Sequence, residues 1–139
     1  MLKTVRLSVL PTVIAIIFAT LACNDLAGKP TVSNIRMATD DTGKTTTTLY
    51  ASSVPFFVFA DLSGLKPGSI VEAKWYVIAA TGVEANSIIN TSDYTYELGI
   101  GFIYFKLTTN DGSDWPSGSY RVELYLDGIK TGEQTFTVN

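Results

Sequence analysis

The chain has 139 residues, 46% of them hydrophobic and 12% aromatic, with a formal charge of −3, no histidine and one cysteine. That length holds one domain, and the acidic balance excludes the basic face a nucleic-acid partner requires. Without histidine, the common Ser-His and Cys-His nucleophiles and the His/Cys sites for zinc or copper are excluded, and a lone cysteine forms no internal disulfide.

Residues 1–22 read as a targeting segment. Lys3 and Arg6 make a short positive region, and Leu7 to Ala22 is uncharged and mostly apolar, interrupted by Pro11. An apolar span of about 16 residues is short for a hydrocarbon core that needs about 20, so cleavage is expected. The segment ends Ala19-Thr20-Leu21-Ala22-Cys23. This resembles a relaxed form of the lipobox of bacterial lipoproteins, with Ala22 in the position before the cysteine. The resemblance implies that Cys23 is acylated through its thiol and becomes the first residue of the mature protein. The acyl chains then hold the protein to a membrane of the bacterial cell envelope, facing outside the cytoplasm. Two other readings of the same residues are ordinary secretion, with Thr20-Leu21-Ala22 as a cleavage site, and an uncleaved anchor. Cleavage leaves 8 basic against 13 acidic residues, a net charge of −5.

Residues 23–30 form a short tether carrying Gly28 and Pro30. Beyond it the chain reads as strand after strand. Residues 31–37 alternate until the turn Asp40-Asp41-Thr42-Gly43, and Thr45 to Tyr50 is a short, Thr-rich edge strand. Val54 to Leu62 holds Phe56, Phe57, Val58 and Phe59 in succession, which suits a strand covered on both faces or one beside the tether. Ile70 to Ala79 places Val71, Ala73, Trp75 and Val77 on one face and Glu72, Lys74 and Tyr76 on the other, with Trp75 as the central core residue. Thr81 to Asn86 is a loop, and residues 87–90 offer one apolar pair, Ile88 and Ile89. Strands follow at Tyr94 to Leu98 and Gly101 to Thr108, the latter with Ile103, Phe105 and Leu107 inward.

The last hairpin is the clearest element. After the polar loop Asn110 to Asp114 and the turn at Trp115-Pro116, Tyr120, Val122, Leu124 and Leu126 face inward. Asp127-Gly128 is a strong hairpin signal, and the chain returns with Phe136 and Val138 inward. Seven or eight strands at this spacing, without a convincing helix, predict a single antiparallel all-β sandwich over residues 31–139. The arrangement resembles immunoglobulin-like and fibronectin-III-like domains, which implies a core tryptophan and a tyrosine-corner role for Tyr120.

Three constellations carry functional expectations. The outward residues Lys74, Tyr76, Tyr104, Arg121 and Tyr125, with Glu72, Lys106 and Glu123, suggest one exposed tyrosine-rich face for a protein or glycan partner. Cross-strand pairing of Lys74 with Glu123, or Tyr76 with Tyr125, explains the same residues structurally. The loops Thr81–Asn86 and Asn110–Trp115 offer an alternative surface, through which the domain would regulate or inhibit an envelope enzyme. The clusters Asp40-Asp41 and Asn110 to Asp114 hold oxygen ligands for calcium, but Asx-turn chemistry accounts for them without a metal. No spacing marks a carboxylate pair for acid–base work, so a non-catalytic binding or envelope-assembly module without cofactor is expected.

Overall fold

The structure is a computed structural model that describes residues 28–139. The expected signal segment and Cys23 lie outside the described residues. Eight strands form: β1 (Thr31–Ala38), β2 (Leu49–Tyr50), β3 (Phe56–Ser63), β4 (Ile70–Ala80), β5 (Ile88–Thr95), β6 (Phe102–Leu107), β7 (Gly118–Leu126) and β8 (Ile129–Val138). They make two sheets, one in the order β1-β3-β6 and one in the order β2-β8-β7-β4-β5. All pairs are antiparallel except β2 with β8. The fold is an immunoglobulin-like β-sandwich.

The core follows from the period-two pattern. Val71, Ala73, Trp75 and Val77 of β4 lie buried beside Tyr120, Val122, Leu124 and Leu126 of β7, and Ile103, Phe105 and Leu107 of β6 belong to the same core. Trp75 is fully buried and meets Phe136 edge-on, with centroids 6.1 Å apart. Its indole Nε1 has no hydrogen-bond partner. The Tyr120 hydroxyl donates to the carbonyl of Pro116, four residues upstream, at 2.5 Å. This is the tyrosine corner the sequence suggested.

Three segments differ from the sequence reading. In β1 the register shifts between Ser33 and Arg36, where Asn34 has φ 49°. The extra residue changes the phase of the strand, so Val32 and Met37, five positions apart, are both buried. The expected edge strand over Thr45–Tyr50 is reduced to Leu49–Tyr50 paired with β8, while Thr46 bridges back to Ala38 in the other sheet. Finally, β5 runs unbroken over Ile88–Thr95, where a short apolar pair and a separate strand at Tyr94–Leu98 were expected.

The apolar run of β3 is covered on both faces, as its composition demands. Phe56, Val58 and Ala60 enter the main core. Phe57 and Phe59 point the other way and are nonetheless buried, forming a small cluster with Ala38. Gly43 of the β1–β2 loop sits against the Phe59 ring, where an added Cβ would come within 3.0 Å.

The topology gives the sandwich two poles. At the entry pole β1 begins, β3 ends, β4 begins, β5 ends, β6 begins, and Asp127-Gly128 joins β7 to β8. The chain arrives there closely packed: a Cβ on Gly64 would lie 2.5 Å from the Gly28 carbonyl oxygen. The far pole holds the loops Thr81–Asn86 and Asn110–Ser117.

Candidate functional site

On the outer face of the five-stranded sheet, β4 and β7 bring Lys74, Tyr76, Arg121 and Tyr125 together. Register sets Glu72 opposite Tyr125, Lys74 opposite Glu123 and Tyr76 opposite Arg121. The expected Tyr76–Tyr125 pair therefore does not form, because Tyr125 stands opposite Glu72, two outward positions along β4 from Tyr76. The Lys74 ammonium pairs with Glu72 at 3.2 Å and sits 4.5 Å from the Tyr125 ring centroid, while Arg121 lies 4.8 Å from that of Tyr76.

Glu123 is the hub of this face. It is 7% exposed, the one buried charged residue among those described. Tyr125 donates its hydroxyl to Oε2 at 2.5 Å, and Lys130 donates to Oε1 at 2.9 Å. Arg121 Nε stands 2.9 Å from Oε1, an ion pair by distance whose N–H is not aligned for a hydrogen bond. Burial opposes ionisation of Glu123. The hydrogen bonds from Tyr125 and Lys130, with the charges of Lys130 and Arg121, outweigh it and hold the carboxyl below its ordinary range. The bond to Glu123 in turn pushes the Tyr125 hydroxyl up to about 12, with burial adding to the effect. These groups satisfy one another across the sheet. Glu123, Tyr125 and Lys130 thus bind one another, Arg121 is held by charge and by the Tyr76 ring, and the cross-strand explanation accounts for the group.

Tyr104 and Lys106 do not join that face. They lie on β6, in the other sheet, and point to its outer side. The sequence shows only that they face away from the core, and both sheets have such a side. Tyr104 stands beside Phe59, 5.2 Å between centroids, with Phe102 next along the strand. Lys106 lies over Phe57 and Arg36 over Phe59.

A hollow of about 400 Å³ lies on the five-stranded sheet beyond its charged residues, lined by Ile78, Ser119, Thr135 and Thr137, and further concavity is found at the far pole. An open cleft of about 450 Å³ runs between Ile89 and Asn90 of β5, Leu107 at the end of β6, and the Asn110–Trp115 loop. A second hollow of about 280 Å³ adjoins it, sharing Ile89, Trp115 and Pro116 and reaching Val83 of the Thr81–Asn86 loop. Trp115 anchors the arrangement. Its N–H donates to the Ser52 carbonyl at 2.8 Å, and its ring packs 4.7 Å from that of Phe56. Sequence reasoning took Trp115 as the opening of a turn and missed it as the floor of a cleft, although a tryptophan after four polar residues was the available signal. Asp111 and Asp114 line the larger cleft, which has no basic residue in its wall. Hydrogen bonds from the Ser113 side chain and backbone keep Asp111 ionised to lower pH than an ordinary aspartate.

The acidic turns are built as Asx turns. Asp40 accepts hydrogen bonds from the backbone N–H groups of Thr42 and Thr45, at 2.9 and 3.1 Å, and from the Thr42 hydroxyl. Asp111 Oδ1 accepts from the Ser113 N–H at 3.0 Å. Both Asp40 oxygens are occupied by the loop itself, whereas at Asp111 the loop takes Oδ1.

No family model matches the sequence, and no curated protein matches it. Among solved structures, the chain is similar to an immunoglobulin-like protein of Pseudomonas aeruginosa, with TM-score 0.57 and 13% identity, covering 82% of this chain and 99% of that one. It also resembles part of an alkylpurine DNA glycosylase of Pseudomonas fluorescens, with TM-score 0.50 and 13% identity, covering 79% of this chain and 30% of that one. A β-glucosidase of Listeria innocua gives TM-score 0.51 and 10% identity, with 80% of this chain and 16% of that one covered. The chain thus corresponds to a minor part of both enzymes. At these identities the likeness shows the fold alone.

Proposed function

We propose that this chain is an exported bacterial lipoprotein, anchored by acyl chains on Cys23, whose immunoglobulin-like domain is a non-catalytic binding module of the cell envelope. The observation that carries the reading is the opposition of the two poles. The segment following Cys23 enters the sandwich beside Gly64, while the clefts around Trp115 lie at the other end. A module tethered at one pole presents the other to its surroundings. Apolar Trp115, Ile89 and Leu107 in the floor, with Asp111 and Asp114 in the wall, fit a protein segment that brings an apolar side chain next to a Lys or Arg. The charged sheet face is the weaker binding surface, because Glu123, Tyr125, Arg121 and Lys130 already bind each other.

A photo-crosslinking residue in the full-length protein, expressed in a bacterium, tests this. Placed at Glu84 it is expected to give discrete protein adducts, and Asp111→Asn with Asp114→Asn is expected to weaken them. Adducts from Tyr76 or Tyr125 with none from the far-pole loops would move the site to the sheet face and refute the reading.

A further inference from the structure

We infer that the entry pole is a lipid-contacting surface, on which the sandwich rests directly against the bilayer that holds its anchor. Among the described residues nine large hydrophobics are exposed, and five of them gather at this pole: Ile70 (46%), Leu98 (81%), Ile100 (38%), Phe102 (57%) and Ile129 (74%). Leu49, Val83 and Ile88 lie at the far pole, and Tyr104 on an outer face.

The five belong to a fixed scaffold. The loop bearing Leu98 and Ile100 is pinned at both ends: the Tyr96 N–H donates to the Ser69 carbonyl at 2.8 Å, the Gly68 N–H to the Tyr96 carbonyl at 3.0 Å, and the Leu62 N–H to the Gly101 carbonyl at 2.8 Å. Ile70 is locked to the β7–β8 turn by its N–H, which donates to Asp127 Oδ1 at 2.7 Å, and by its carbonyl, which accepts from the Asp127 N–H at 2.8 Å. Both sheets therefore contribute exposed apolar residues to one end of the domain, Leu98 and Ile100 from their loop, Ile129 beside the β7–β8 turn, and Ile70 and Phe102 from the outward sides of the first residues of β4 and β6. An exposed apolar cluster of this kind marks an interaction surface.

The occupant follows from where the chain enters. Gly28 packs against Gly64 at this same pole, and it stands five residue steps after Cys23. Even fully extended, those steps reach at most about 18 Å. Given the acylated Cys23 of the reading above, on which this inference rests, the pole cannot stand far from the headgroups. Lys29 and Lys66 are exposed here and can meet anionic headgroups, with Glu97 and Asp127 the opposing charges at the same pole. Apolar side chains flanked by cations are the pattern of an interfacial contact. The domain would be held by its acyl chains and oriented by this pole, leaving the far-pole clefts turned away from the membrane.

The test uses the full-length Leu98→Cys protein, expressed in a bacterium and purified with its anchor. Acylation occupies the Cys23 thiol, so a bimane label reaches position 98 alone. Matching proteins carry Ile129→Cys, or Glu84→Cys at the far pole. Each is reconstituted into phosphatidylethanolamine–phosphatidylglycerol vesicles with and without brominated acyl chains, and its intact mass is recorded. The expected result is severalfold stronger bromine quenching at positions 98 and 129 than at position 84. Equal, weak quenching at all three, in protein whose mass carries acyl chains, overturns the contact while the anchor stands. A mass without acyl chains overturns both.

Discussion

Trp75 is the largest fully buried side chain among the described residues. It is fully buried at the centre of β4, flanked by Val122 on β7 and facing Phe136. A buried tryptophan removes about 200 Å² from water, worth about 5 kcal/mol at 25 cal/mol per Å². Compactness of the unfolded chain reduces that to about 3–4 kcal/mol. Replacement by Ala adds a cavity term but also removes the unpaired Nε1 donor, and these two contributions oppose each other. Trp75→Ala is therefore expected to cost about 3–4 kcal/mol, and Trp75→Phe, which keeps a ring and loses the unpaired N–H, about 1–2 kcal/mol. Equilibrium urea unfolding followed by circular dichroism reads both. With a slope of about 1.5–2 kcal/mol per M, the Ala variant should lose about 2 M in its midpoint. An Ala variant with the parent midpoint would refute the packing, and a Phe variant as weak as the Ala variant would show that Nε1 is hydrogen-bonded.

Three further outcomes are expected. Glu123→Gln should cost about 1–3 kcal/mol at neutral pH, because it weakens the charge-assisted bonds from Lys130 and Tyr125. The Glu123 carboxyl sits below its unfolded value, so its stabilisation is full above that value and is lost as pH falls through the folded one. The gap between parent and variant should narrow as pH falls below the ordinary glutamate value of about 4.3 in urea titrations, and a gap independent of pH would contradict this. Tyr120→Phe removes the bond to the Pro116 carbonyl and should cost about 1 kcal/mol, measured the same way. Gly64→Ala meets both a φ of 69° and the Gly28 carbonyl, and should lower the melting temperature by several degrees and loosen residues 28–30 to limited proteolysis.

What the sequence revealed was governed by burial on one face. β4, β6, β7 and β8 alternate because each has a core side and a solvent side, so their inward residues were legible from period two alone. β5 was not, since Ile88–Thr95 is a polar edge strand held by backbone pairing to β4. The bulge at Asn34 and the parallel pairing of Leu49–Tyr50 depend on partners distant in the chain, which periodicity does not encode. The same limit explains the candidate face. Outwardness of Tyr76, Arg121, Tyr125 and Tyr104 was readable, but the assignment of Tyr104 to the other sheet was a matter of topology. The far-pole clefts were half legible, as two loops without a shape. The entry-pole residues Leu98 and Ile129 gave no signal, because a lone apolar residue in a loop is ordinary until the fold sets it beside others.

The proposed anchor at Cys23 underlies both the proposed function and the orientation inferred from it. Intact mass and detergent partition of the full-length protein expressed in a bacterium, beside a Cys23→Ala control, test it most directly. The account predicts loss of residues 1–22, added mass from acyl chains, and partition into detergent, with the control unacylated. An unmodified product starting at or near Cys23 that stays in the aqueous phase would contradict it and leave a secreted, diffusible domain.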